Sequence, residues 1–411
     1  MVMNRQETAG HRWTVPFAGF LLSLMGGMSY AWGIFVLPLS EKFGWTTAEA
    51  TLPFTVFMVV FAIVMVPAGS LQDKYGPRKI AIIGALLFFV AYATAALVST
   101  FPYLWWLLLT YGVIGGTACG LTYACVAPPT RKWFPDKPGT AISFAVMGFG
   151  LAAVIFAPLK ARFLIPDFGL EGTFLIIGIL VLVVSLFASI FIINPPHGWH
   201  APPVASGHSS KTVSIKQELE PGELPGKVLF WVLWLVFAFV IAGGLMCISL
   251  IPAYGKKIID LSVGEAAVAM SIFAAFNGFG RPLAGMLSDK FGAVTVMIVS
   301  YAVQAVTLLS FTTMATSLFS LYLAAALLGW GFAVTLAVFP ALTSICFGVK
   351  HLGMNYGMVF TAFGVGAFAS FIGAWLFDST GSYTPAFTLA GLLAVLGLSL
   401  CVVLKKKYAL A

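Results

Sequence analysis

The segment FAAFNGFGRPLAG, residues 273–285, sets an arginine inside an otherwise apolar run. A guanidinium at the centre of a bilayer helix costs about 2.5–3.5 kcal/mol on insertion scales, so Arg281 requires a partner. Asn277 lies one helical turn away on the same face, and Gly278 and Gly280 leave the backbone open nearby. A planar fork of N–H donors with an amide beside it suits a carboxylate. Arg281 stands eight residues, about 12 Å of helix, from Asp289 at the helix end, against about 15 Å to a bilayer midplane. All 14 acidic residues, from Glu7 to Asp378, map to loops or helix ends, so none is placed to neutralise Arg281 at that depth. The missing anion is therefore expected to be a substrate. The competing reading is a structural arginine bonded to backbone carbonyls.

A second set of charges recurs. Gly69, Asp73, Lys74 and Gly76 in GSLQDKYGPRK return as Gly285, Asp289, Lys290 and Gly292 in GMLSDKFGAVT, 216 positions later. MGFGLAA near residue 150 and TAFGVGA near 364 echo each other at a spacing of 214. Each aspartate falls at a helix C-terminus, where the helix dipole disfavours an anion, so each needs an opposing helix N-terminus or an adjacent cation such as Lys74, Arg78 or Lys290. A contact of that kind can lock one state and release in another. For the cations alone, an ordinary topogenic role would suffice.

The elements that hold these residues are membrane helices. Of 411 residues 60% are hydrophobic and 9% charged, with a mean hydropathy of +1.00, a balance no soluble domain keeps off its surface. Twelve apolar spans are predicted, near 14–38, 48–71, 79–99, 101–129, 139–160, 171–193, 228–252, 263–287, 293–313, 316–346, 352–377 and 383–404. The long polar stretch 195–226 divides the chain into an N-terminal six-helix bundle, 1–194, a cytoplasmic linker, 195–226, and a C-terminal six-helix bundle, 227–411. The first span is too long for a secretory signal and is kept in the mature chain. Of the 22 Lys and Arg, 16 fall on the side of the N-terminus and five opposite, Lys160 and Arg162 among the latter, which predicts both termini in the cytoplasm. The +8 formal charge is mostly topogenic, and no nucleic-acid partner is expected. The five cysteines all lie within spans and read as small packing residues. HGWH at 197–200, with His208 nearby, is a poor preformed chelate in a Pro, Gly and Ser-rich loop, so no metal or cofactor is expected.

A parallel internal repeat in a membrane chain points to a transporter with its site between the halves. The doubled G-x-x-x-D-K-x-G resembles the loop signature of the major facilitator superfamily, and the 6 + linker + 6 layout covers the whole chain. FNGFGRPLAGMLSDKFG, with RKWFPDKPGTA at 131–141 and NYGMVFTAF at 355–363, is similar to oxalate:formate antiporters and their monocarboxylate-transporter relatives. The resemblance implies an all-α membrane fold of twelve helices in two pseudo-symmetric bundles. It also implies that Tyr30 and Tyr123 match aromatic cavity residues, and Phe332 less closely. In the oxalate exchangers a lysine of the eleventh helix stands where this chain has Phe363. One midplane cation suits one carboxylate, so a monocarboxylate such as lactate or pyruvate is expected rather than oxalate. Animal proton-linked relatives carry an aspartate where Asn277 stands and a lysine near Gly33 or Ile34, so their proton relay does not transfer directly.

The expected activity is alternating-access transport of a small monocarboxylate, with one anion and one proton as the partners; carboxylate exchange is the alternative. An enzyme is not expected, since no GxxxxGK[ST], HExxH or nucleophile elbow occurs. The bilayer of the cell (inner) membrane is the expected location, and a monomer suffices because this fold needs no partner to form its path.

Overall fold

Without water to satisfy backbone N–H and C=O groups, each apolar segment must close its own hydrogen bonds, which selects helices. The computed structural model describes residues 12–196, 199 and 218–408, and no strand occurs among the described residues. The first rod is broken into α1 (Thr14–Gly27), a 3-10 turn (Met28–Ala31) and α2 (Gly33–Phe43). Next come α3 (Thr47–Tyr75) and α4 (Pro77–Ala95). The fourth rod is composite: α5 (Leu104–Leu107), a π-helical stretch (Leu108–Gly115) and α6 (Gly116–Ala124), followed by α7 (Ala127–Trp133). α8 (Pro138–Leu159) passes through a second π-helical stretch (Lys160–Leu164) into α9 (Ile165–Phe191). A 3-10 turn (Pro221–Gly226) precedes α10 (Val228–Ile258), α11 (Val263–Phe291), α12 (Ala293–Leu309) and α13 (Phe311–Met314). The chain closes with α14 (Leu318–Phe347), α15 (Leu352–Thr380) and α16 (Thr384–Tyr408).

Nine stretches among the described residues are long and apolar enough to cross a membrane, and one of them, 138–191, contains both α8 and α9. The 17-residue α12 and the α11 that carries Asn277 and Arg281 complete twelve rods. Large apolar side chains such as Ile63, Val183, Phe319 and Phe371 cover the outside, as lipid contact requires.

The internal repeat is built into the helix ends. α3 and α11 are both 29 residues long, and each starts at a reciprocal capping box, Thr46 with Glu49 and Ser262 with Glu265. Each ends at a glycine with positive φ, Gly76 at 86° and Gly292 at 89°, so the last glycine of the motif makes a turn that a side chain would strain. α8 and α15 begin 214 positions apart, the second spacing read from the sequence.

Two features go beyond the sequence reading. Lys160 and Arg162, counted as charges on the side opposite the termini, lie within helix that continues past the predicted span end at 160. Lys160 is 1% exposed, and its ammonium donates to the Met28 carbonyl at 3.1 Å while lying 5.0 Å from the Phe35 ring centroid. The predicted linker, 195–226, is anchored at its far end. The Glu218 carboxylate accepts from the Val349 and Lys350 amides at 3.0 Å each, and the Leu219 amide donates to the Phe347 carbonyl at 3.1 Å. His197, His200 and His208 lie outside the described residues.

Candidate functional site

α11 shows two faces over a single half-turn. Phe279 is 65% exposed toward the lipid side, whereas Arg281 is 0% exposed and Asn277 2%. The guanidinium is held by neutral oxygens. Its Nε and Nη2 donate to Asn277 Oδ1 at 3.2 and 3.1 Å, and its Nη1 donates to the Val146 carbonyl of α8 at 2.6 Å. Asn277 thus acts as an acceptor for Arg281, not as a further donor beside it. The backbone-carbonyl contact belongs to the structural reading of this arginine, yet carbonyl and amide oxygens leave the positive charge uncancelled. None of the ion pairs found among the described residues involves Arg281.

Around this cation stands a cluster of rings drawn from both halves. The Tyr123 hydroxyl on α6 and the Tyr30 hydroxyl in the break of the first rod both interact electrostatically with the guanidinium. Phe149 of α8 packs edge-on against both, with centroids 4.9 Å from Tyr30 and 5.4 Å from Tyr123. Phe61 of α3 lies 5.5 Å from Tyr123 and bridges to α15, where Phe360 and Phe363 stack at 5.0 Å. Phe363 is 1% exposed and apolar on every described ring contact. Phe332 makes its described ring contact with Phe273, at 5.7 Å, and packs over Gly244. Phe61, Phe149 and Phe360 were not singled out by sequence, since an aromatic in a membrane helix reads the same whether it packs or lines a site.

Both aspartates of the repeat meet an opposing helix N-terminus. Asp73 accepts from the Gly353 and Met354 amides of α15 at 3.3 and 3.0 Å. Asp289 accepts from the Gly139 and Thr140 amides of α8 at 2.9 and 2.7 Å, and from the Thr140 hydroxyl at 2.7 Å. A carboxylate there is favoured by the unpaired N–H groups and by the dipole. The motif glycines allow the approach: a methyl at Gly69 would collide with the Gly353 carbonyl, and one at Gly285 with the Gly139 carbonyl. The motif cations stand aside. Lys74 lies 5.1 Å from the Tyr75 ring, Lys290 5.1 Å from the Phe291 ring, and Arg78 donates to the Ile190 carbonyl. The cations that act on the aspartates are instead Lys132 for Asp73 and Arg131 for Asp289.

Comparison with known proteins agrees with this architecture. The family model described as Major Facilitator Superfamily matches residues 17–268 and 248–409. The chain is 30% identical over 374 residues to the oxalate:formate antiporter of Oxalobacter formigenes, covering 88% of this chain and 85% of that protein. Monocarboxylate transporter 9 of Pongo abelii is 25% identical over 184 residues, covering 44% of this chain and 35% of that protein. Among solved structures, FucP, a transporter crystallised in its outward conformation, superposes with a TM-score of 0.67 at 17% identity, covering 95% of this chain and 99% of that one.

Proposed function

Since the chain belongs to the Major Facilitator Superfamily and is an integral membrane transporter rather than an enzyme, we propose that its cargo is a small monocarboxylate, such as lactate or pyruvate, carried with a proton. The observation that carries this reading is the wholly buried Arg281, bonded to neutral oxygens among rings from both halves. Arg281 pairs with the carboxylate, Tyr30 and Tyr123 stand beside it, and Phe61, Phe149 and Phe363 enclose the carbon chain. The apolar Phe363 supports one carboxylate over two, because a second buried carboxylate there would lack a cation.

In this reading the bundles 1–194 and 227–411 rock about the site, tethered by 195–226, in the cell membrane with both termini cytoplasmic. Asp73 and Asp289 are the gate, clasping the cytoplasmic end shut from opposite halves. Lys74, Arg78 and Lys290 flank it and contribute to orientation. A proton that enters with the anion lets the cavity close around Arg281 without a net change in buried charge on the anion's account.

The test is uptake of labelled L-lactate into liposomes holding the purified protein, with and without an inward pH gradient. Accumulation above equilibrium that needs the gradient is the expected result, and Arg281→Gln should abolish it. Retention of uptake and affinity by Arg281→Gln would overturn the assignment. Carboxylate exchange is the second reading, supported by the likeness to an oxalate:formate antiporter. It predicts uptake that ignores the gradient and accelerates when carboxylate is loaded inside.

A further inference from the structure

Among the described residues, buried tyrosine hydroxyls have partners, with one exception near the site. Tyr301 receives a hydrogen bond from Thr335 at 3.1 Å, Tyr254 donates to the Thr312 carbonyl at 3.3 Å, and Tyr92 pairs with Tyr111. Tyr356, on the first turns of α15, is 2% exposed, and its hydroxyl has no hydrogen-bond partner. A buried hydroxyl left unpaired costs about 1–3 kcal/mol, whereas phenylalanine would fill the same volume without that cost.

The orphan hydroxyl belongs spatially to the arginine. Tyr356 interacts electrostatically with the Arg281 guanidinium and with the Tyr123 hydroxyl. Its ring lies 5.6 Å from Phe360, which joins Phe61, Tyr123 and Phe363 in the cluster. Tyr356, Phe360 and Phe363 are spaced by four and three residues, so they share one face of α15. That face is fixed from below, because the Gly353 and Met354 amides immediately before Tyr356 are the ones Asp73 holds.

We propose that Tyr356 is a substrate-binding residue, its hydroxyl donating to a carboxylate oxygen of the anion that Arg281 holds. A carboxylate accepts several hydrogen bonds on its two oxygens, so one anion can satisfy both the uncancelled guanidinium and the unpaired phenol. The assignment rests on the carboxylate reading of the site above. It adds a donor from α15 to a site whose cation stands on α11 and whose other hydroxyls, Tyr30 and Tyr123, come from the N-terminal half, so that the anion also engages the helix that carries a clasp at its N-terminus.

Tyr356→Phe removes only the hydroxyl and tests this directly. Binding of L-lactate, pyruvate and acetate to the purified full chain in nanodiscs would be measured by calorimetry, alongside melting temperatures without ligand. The expected result is an affinity about tenfold weaker than wild type, the size of a lost hydrogen bond to a charged group, with an unliganded melting temperature equal or higher. Tyr356→Phe in an Arg281→Gln background should then add no further loss. Unchanged affinity in Tyr356→Phe, with wild type binding, would overturn the assignment. So would a lower unliganded melting temperature with unchanged affinity, which would give the hydroxyl an internal partner. Failure of wild type to bind any of the three acids would instead refute the carboxylate reading, and the role of Tyr356 with it.

Discussion

Asn277 receives two N–H groups of Arg281 on a single oxygen, a geometry that a carboxylate would reproduce with a charge added. Asn277→Asp should therefore fill the anion's place from within the chain. Above the pKa of the new aspartate the guanidinium is neutralised internally, and below it the acid is protonated and the guanidinium is freed. Lactate affinity should fall at least about tenfold at neutral pH, the scale of a charge-assisted pair, and recover as pH falls. Calorimetry across pH on the variant and on wild type would check the sign. Arg281 was legible in the sequence because a lone cation in an apolar run has few explanations. Tyr356 was not, because an unpaired hydroxyl is defined by what surrounds it in space. Lys160 closes the predicted span 139–160 and counts there among the opposite-side charges; its seat on the Met28 carbonyl is a tertiary contact that residue type does not show.

Among the elements, the clasps join a carboxylate at the end of one helix to the amides that start another. An anion at a helix N-terminus is worth about 0.3–1 kcal/mol when exposed and up to about 2 kcal/mol when partly buried. Asp289→Asn keeps the shape and loses the charge, so it should raise the population open at this end by roughly fivefold to thirtyfold. Asp73→Asn should do the same by a similar amount. Spin labels at Tyr75 and Lys350, both exposed beside the clasp, would report the change as a longer distance component. An unshifted distance distribution in both variants would remove these aspartates from gating. The aspartates and motif glycines were legible because they are repeated. Their partners were hidden, since Gly139, Gly353 and Met354 contribute backbone N–H groups, which leave no trace in residue type.

On the scale of the whole molecule, the two clasps are one contact made twice. Asp73 of the first half meets the start of α15 in the second, and Asp289 of the second meets the start of α8 in the first. The spacings of 216 and 214 relate α3 to α11 and α8 to α15 as repeats, but do not show that each aspartate reaches across to the other half. Both clasps lie at one end, so opening that end must break both, and closing is reinforced from both sides.

The uncancelled charge of Arg281 has an electrical consequence. With the site empty, switching access from one face of the membrane to the other carries a net positive charge through the field, at about 2.3 kcal/mol per 100 mV for a full crossing. With a carboxylate and a proton bound the site carries that same single positive charge, whereas with a carboxylate alone, as in exchange, the pair crosses as a neutral unit. An interior-negative potential should then slow the outward return of the empty carrier in either reading, and leave loaded-for-loaded exchange untouched only where the carboxylate crosses without a proton. In liposomes clamped with valinomycin and potassium gradients, homoexchange that bends with voltage is expected if the proton crosses with lactate, and flat homoexchange would mark the carboxylate crossing alone.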